Sequence, residues 1–86
     1  MSLGREITGT RDTTYNLVSV LYHALQGAET YERYVRAAIN SSDYEIATYF
    51  REVQEEEKRR AERAKDALYR VLARRARVRA AEAAEG

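Results

Sequence analysis

The chain has 86 residues, a formal net charge of +1, no cysteine and no proline. A chain this short makes one small domain whose core is marginal without staples or partners. The missing cysteines exclude disulfides, thiol chemistry and cysteine-ligated metal. The missing prolines, with only four glycines, leave too little punctuation for a fold of short strands and turns.

Residues 1–12 carry Gly4 and Gly9, show no periodic pattern, and read as a flexible N-terminal segment. Asp12 or Thr13 can cap the helix that follows, because a side-chain oxygen there accepts from open first-turn N–H groups. From Thr13 to Ile39 the apolar residues Leu17, Leu21, Ala24, Leu25, Ala28, Tyr31, Val35 and Ile39 recur mostly at steps of three and four. That spacing puts them on one helix face. Glu32 lies inside the face, Glu29 on its flank and His23 nearly opposite. Gly27 costs about 1 kcal/mol relative to alanine in a helix interior, so close packing is the reason expected for it.

Asn40-Ser41-Ser42-Asp43 breaks the pattern. Asn40 suits a left-handed helix end, and Ser42 with Glu45 has capping-box spacing. A turn this short folds two long helices back antiparallel. The second helix is expected over residues 43–79, with 80–86 as a frayed tail. Its stripe is Ile46, Tyr49, Phe50, Val53, Ala61, Ala64, Leu68, Val71, Leu72 and Val78. Glu57 and Arg60 fill the gap between Val53 and Ala61 on that same face.

At about 1.5 Å per residue the helices would be roughly 40 and 55 Å long. Two helices touching only each other leave part of each stripe wet, and a second identical hairpin would cover it. The expectation is an all-α, antiparallel two-helix hairpin that dimerises into a four-helix bundle.

Glu57 and Arg60 are three residues apart and can pair along the helix. At the centre or margin of a bundle such a pair sets register more than it adds stability. The sharper possibility makes Glu57 a ligand for iron or manganese, as carboxylates inside four-helix bundles can be. The stretch Asp43 to Leu68, with Glu57-Lys58-Arg59-Arg60-Ala61, resembles the second helix of ferritin-like half-bundle proteins, especially encapsulated ferritins. Leu17 to Val35 resembles their first helix, with Tyr31 matching a tyrosine near the metal. The resemblance covers roughly half to two thirds of the chain and implies a ferritin-like bundle built from two hairpins. It also implies that Glu57 matches a ligand glutamate. The family's ligand histidine is replaced by Arg60, and its first-helix ligand position by Ala24. An arginine cannot ligate a cation and brings a positive charge to its place.

The remaining candidate ligands are Glu32, which faces inward nearer the turn, and Glu29. A single histidine without cysteine is poor material for zinc. The arginines Arg70, Arg74, Arg75, Arg77 and Arg79 run without an intervening acid. They read as a solvated helix end that suits the macrodipole, or as a contact for nucleic acid or an acidic partner. Nucleic acid is the less favoured of these, since aromatic residues scarcely interleave with the arginines. No apolar run approaches the roughly 20 residues of a membrane span, and the N-terminus has no apolar signal core, so a cytoplasmic protein is expected.

The leading functional expectation is a non-catalytic, ferritin-like hairpin acting as a homodimeric or higher-order structural or interaction module, with no cofactor. The alternative is an iron- or manganese-binding oxidoreductase using Glu57, Glu32 and Glu29. A second alternative is binding of nucleic acid or an acidic partner through the arginine-rich end.

Overall fold

A computed structural model describes residues 12–85. They form two helices, α1 over Thr13–Asn40 and α2 over Tyr44–Glu85, packed side by side as an antiparallel hairpin. Most of the segment expected to be flexible, residues 1–11, lies outside the described residues. Asp12 caps α1: its Oδ1 accepts from the Tyr15 N–H at 3.1 Å.

The turn has the expected length but lies one position later, over residues 41–43. Ser42, not Asn40, takes the left-handed conformation, at φ 61°. Its N–H donates to the Ile39 carbonyl at 2.9 Å and the Asp43 N–H donates to the Ala38 carbonyl at 2.8 Å. Those two bonds are the paired closure of a Schellman end, which satisfies carbonyls that the last turn would leave open. The Ser42–Glu45 capping box therefore does not form. Ser42 is committed to ending α1, and Asp43 stands in front of α2, its carbonyl accepting from Ala47 N–H at 3.0 Å. A non-glycine residue in this conformation costs roughly 1–2 kcal/mol, while glycine costs about 0.5–1 kcal/mol in unfolded-chain entropy. Ser42→Gly is expected to raise stability by about 0.5 kcal/mol, read as a higher urea midpoint at unchanged slope.

At its C-terminal end α2 corrects the expected boundary. Residues 80–85, expected to fray, continue the helix through Glu85. Ala80, Ala81, Ala83 and Ala84 are the best helix formers, and no breaker interrupts them. Asp12 Oδ1 meets Arg75 Nη2 at 3.9 Å, which marks where α1 begins alongside α2. Beyond that point α2 overhangs its neighbour.

The seam between the helices is built from small side chains. Ala24 and Ala28 of α1 meet a line on α2 that runs Ala47, Gln54, Ala61, Ala64; Ala47 is 1% exposed and Ala61 2%. Val35, Ala38 and Ala47 close the end near the turn, with Ile39 and Phe50 packed against them. Val71 is buried toward the open end. Small residues let two helices approach closely, and the large apolar side chains are displaced to the flanks. Ile46 (41%), Tyr49 (57%), Leu25, Leu72 and Val78, all placed on the stripes by their spacing, are exposed. The molecule is 66 Å long and 13 Å thin, the thickness of a single layer of helices.

Candidate functional site

Glu57 projects from α2 onto Gly27 of α1. A Cβ placed on Gly27 would lie 3.2 Å from Glu57 Cδ and 3.3 Å from its Cγ. The glycine therefore makes room for a side chain and not for a neighbouring backbone. Glu57 is held from its far side by Arg60, whose Nη1 donates to Oε1 at 2.6 Å. The Glu57 side chain is largely covered, at 20% exposure, while that of Arg60 is 56% exposed. Glu57 is thus pinned between a glycine and a guanidinium, with Arg60 keeping donors free for a further acceptor. Gly27→Ala gains roughly 1 kcal/mol of helix propensity, offset by a methyl group that pushes on the flexible end of Glu57. A net gain of about 0.5 kcal/mol in urea unfolding is expected for Gly27→Ala, and a loss for Gly27→Leu, whose bulk Glu57 cannot clear.

Glu32 is engaged differently. Gln54 reaches across the seam from α2, and its Nε2 donates to the Ala28 carbonyl at 3.0 Å and to Glu32 Oε1 at 2.9 Å. Both amide hydrogens are used. Arg36 Nε donates to the other carboxylate oxygen at 3.2 Å. The Gln54 hydrogen bond, then that of Arg36, hold the Glu32 carboxyl below its ordinary value of 4.5. Gln54 is 8% exposed and is the one buried polar side chain among the described residues. The apolar stripe does not reveal it. The signal that finds it is its place midway between Ala47 and Ala61, seven residues from each.

The three glutamates named as candidate ligands are dispersed. Glu57 is tied to Arg60, Glu32 to Gln54 and Arg36, and Glu29 is exposed. Among the described residues no three or more histidine, aspartate or glutamate side chains of one chain gather into a group that could hold a metal ion.

Around the Glu57–Arg60 pair, one side of the hairpin forms a long open groove. Val20, His23, Ala24, Glu57 and Arg60 line its middle. Toward the turn it is lined by Tyr34, Ala38, Asp43, Ile46 and Phe50. Here Phe50 gathers the aromatic rings, with centroids 5.4 Å from Tyr34, 5.8 Å from Tyr49 and 6.2 Å from Tyr31. Toward the open end the lining becomes basic, with Arg59, Arg60, Arg63 and Arg70 around Ala64 and Ala67, then Arg74, Arg75 and Arg79 around Val71 and Val78. His23 is exposed, its ring edge-on to Tyr22 at 5.5 Å.

Fold and groove together define an α-helical hairpin of one helical layer, with a small-residue seam inside and an apolar, charge-punctuated face outside. Comparison with protein-family models, with curated proteins and with solved structures finds no match to the chain. Among the described residues no helix is long and apolar enough to cross a membrane.

Proposed function

We propose that the chain is a non-catalytic, cytoplasmic structural or interaction module that works as a homodimer, two hairpins closing into a ferritin-like four-helix bundle. The observation that carries the proposal is the inverted distribution of side-chain size. Alanines occupy the seam, while Val20, Tyr34, Ile46, Tyr49 and Val78 stand exposed on a layer 13 Å thin. Domains are ordinarily stabilised by at least two packed layers around a shared core, and a second copy supplies the missing one.

Sedimentation equilibrium tests it. A dimer at micromolar concentration, with a melting temperature that rises with concentration, is the expected result. A stable, fully helical monomer at that concentration would sink the proposal. Iron or manganese bound stoichiometrically in protein purified without chelators, and lost in Glu57→Ala, would replace it with a metal-binding oxidoreductase.

A further inference from the structure

We infer that the dimer is assembled through α2 against α2 of a second copy, antiparallel, on a two-fold axis passing between Lys58 and Arg59, with Glu57 of each chain ion-paired to the partner's Arg60. The inference rests on the homodimer proposed above and specifies its contact row and register.

The contact row is set by spacing and exposure. Ile46, Phe50, Val53, Glu57, Arg60 and Ala64 follow one another at alternating steps of four and three, continued by Ala67 and Val71. That alternation is the seam of a coiled coil. Most of these residues line the open groove. Ile46 and Arg60 are exposed and Phe50, Val53, Glu57 and Ala67 partly buried, while Ala64 and Val71 lie at the edge that the row shares with the alanine seam. Among the described residues the row thus offers a partner its exposed and partly buried members while the seam to α1 stays closed.

Register follows from the two charges. An isologous antiparallel pair places residues equidistant from the axis opposite each other, and each contact occurs twice. With the axis between Lys58 and Arg59, Glu57 faces the partner's Arg60 and Arg60 faces the partner's Glu57. Moving outward, Val53 faces the partner's Ala64 and Phe50 faces the partner's Ala67, large against small at both levels. Ile46 then faces the partner's Val71. The next level sets Asp43, at the turn, against the partner's Arg74. On the flank, Glu56 comes beside the partner's Arg63.

Alternative registers fail at the same two residues. Shifting the axis half a heptad toward the turn sets Glu57 against the partner's Val53 and Arg60 against the partner's Phe50. Shifting it the other way sets them against the partner's Ala67 and the partner's Ala64. Both shifts set the Glu57–Arg60 pair against apolar side chains of the partner, with no opposite charge across the axis to offset its desolvation. A parallel pairing stacks Glu57 on the partner's Glu57 and Arg60 on the partner's Arg60. The intrachain contact is compatible with the antiparallel register, because Arg60 has five N–H donors and Glu57 two oxygens. The four groups then close a ring about the axis.

Charge along the hairpin points the same way. Between Arg59 and Arg79 there are nine basic and two acidic side chains, a net charge of +7. Between Glu29 and Lys58 there are four basic and eight acidic ones, a net charge of −4. Antiparallel packing lays the acidic half of one hairpin along the basic half of the other, and parallel packing lays like on like.

The test mixes charge-reversed chains. E57R and R60E alone are each expected to dimerise about tenfold or more weakly than the wild type, since all four axial charges then share one sign. Mixed in equal amounts they should form a heterodimer of near wild-type affinity, and E57R/R60E should dimerise by itself. Circular dichroism of that double variant guards against loss of folding as the cause. In the cysteine-free chain, a mixture of V53C and A64C should oxidise to a mixed disulfide dimer much faster than either variant couples to itself. Self-coupling of V53C at the same rate, or wild-type dimerisation of both single charge reversals, would overturn the register while leaving the homodimer standing. A monomeric wild type would overturn both.

Discussion

Phe50→Ala is expected to lower stability by about 3–5 kcal/mol when measured on the dimer, the range for removing a fully buried aromatic ring. Within one hairpin Phe50 is only half-buried, packed against the cluster of Val35, Ala38 and Ala47 and touching Tyr31, Tyr34 and Tyr49. Fully covering such a ring contributes about 1.5–3 kcal/mol, so a half-covered ring in an isolated hairpin would account for about 1–1.5 kcal/mol. The two values lie far enough apart for chemical denaturation to separate them. The loss should also depend on protein concentration, because the ring borders the apolar part of the groove that a second copy would cover in the proposed dimer. A loss near 1 kcal/mol, the same at every concentration, would place Phe50 at a free surface and count against the homodimer.

Replacing Gln54 should have the next largest effect, and a characteristic pH signature. Gln54→Ala removes the donor that serves both the Ala28 carbonyl and Glu32, and opens space at a buried position; about 1–3 kcal/mol is expected at neutral pH. Gln54→Leu keeps most of the volume and should lose less. Both should change the acid limb of stability in the same way. Glu32 has its pKa lowered in the folded chain, chiefly by the Gln54 hydrogen bond and then by Arg36. The group therefore contributes stability above its unfolded value of about 4.5, and that contribution fades as pH falls below 4.5 through the folded value. Without Gln54 the larger cause of the shift is gone, so stability measured from pH 6 down to pH 3 should decline less steeply. An unchanged slope in Gln54→Leu would show that the amide does not hold the Glu32 carboxylate.

The hairpin itself was legible from residues that leave the backbone little choice. Asn40-Ser41-Ser42-Asp43 is the only polar break in two long periodic runs, and Ala80 to Ala84 aside, the helix limits follow from it. The detail of the turn was not legible, because Ser42 can serve as an N-cap or as a left-handed end, and only the carbonyls of Ala38 and Ile39 decide between them. The seam differs from the apolar stripes for a physical reason. Apolar size marks the stripes, so Ile46, Tyr49 and Leu72 stand out in the sequence while Ala47 and Gln54 do not. Contact between two closely packed helices selects for smallness, and the large residues move to where there is room. The i,i+3 spacing of Glu57 and Arg60 announces their pairing, and a helical Gly27 announces close packing. That the packed group would be the Glu57 side chain needed both helices in place. Spacing puts Glu32 on the inner face, but its partner across the seam is hidden in the sequence, because a glutamine carries no charge to announce it.

The overhang of α2 has a consequence for how the molecule comes apart. Past Arg75, which lies level with the start of α1, α2 continues for ten residues through Glu85, about 15 Å of helix. Among the described residues little of α1 lies beside them, so the backbone ladder and alanine propensity carry most of their order, and a helical segment of that length is marginal in water by itself. Opening should therefore begin there and travel inward, with amide protons exchanging fastest near Glu85 and slowest between Ala47 and Ala64. The chain is in effect zipped from its turn, and its arginine-rich end is the loose tab by which proteases would first take hold.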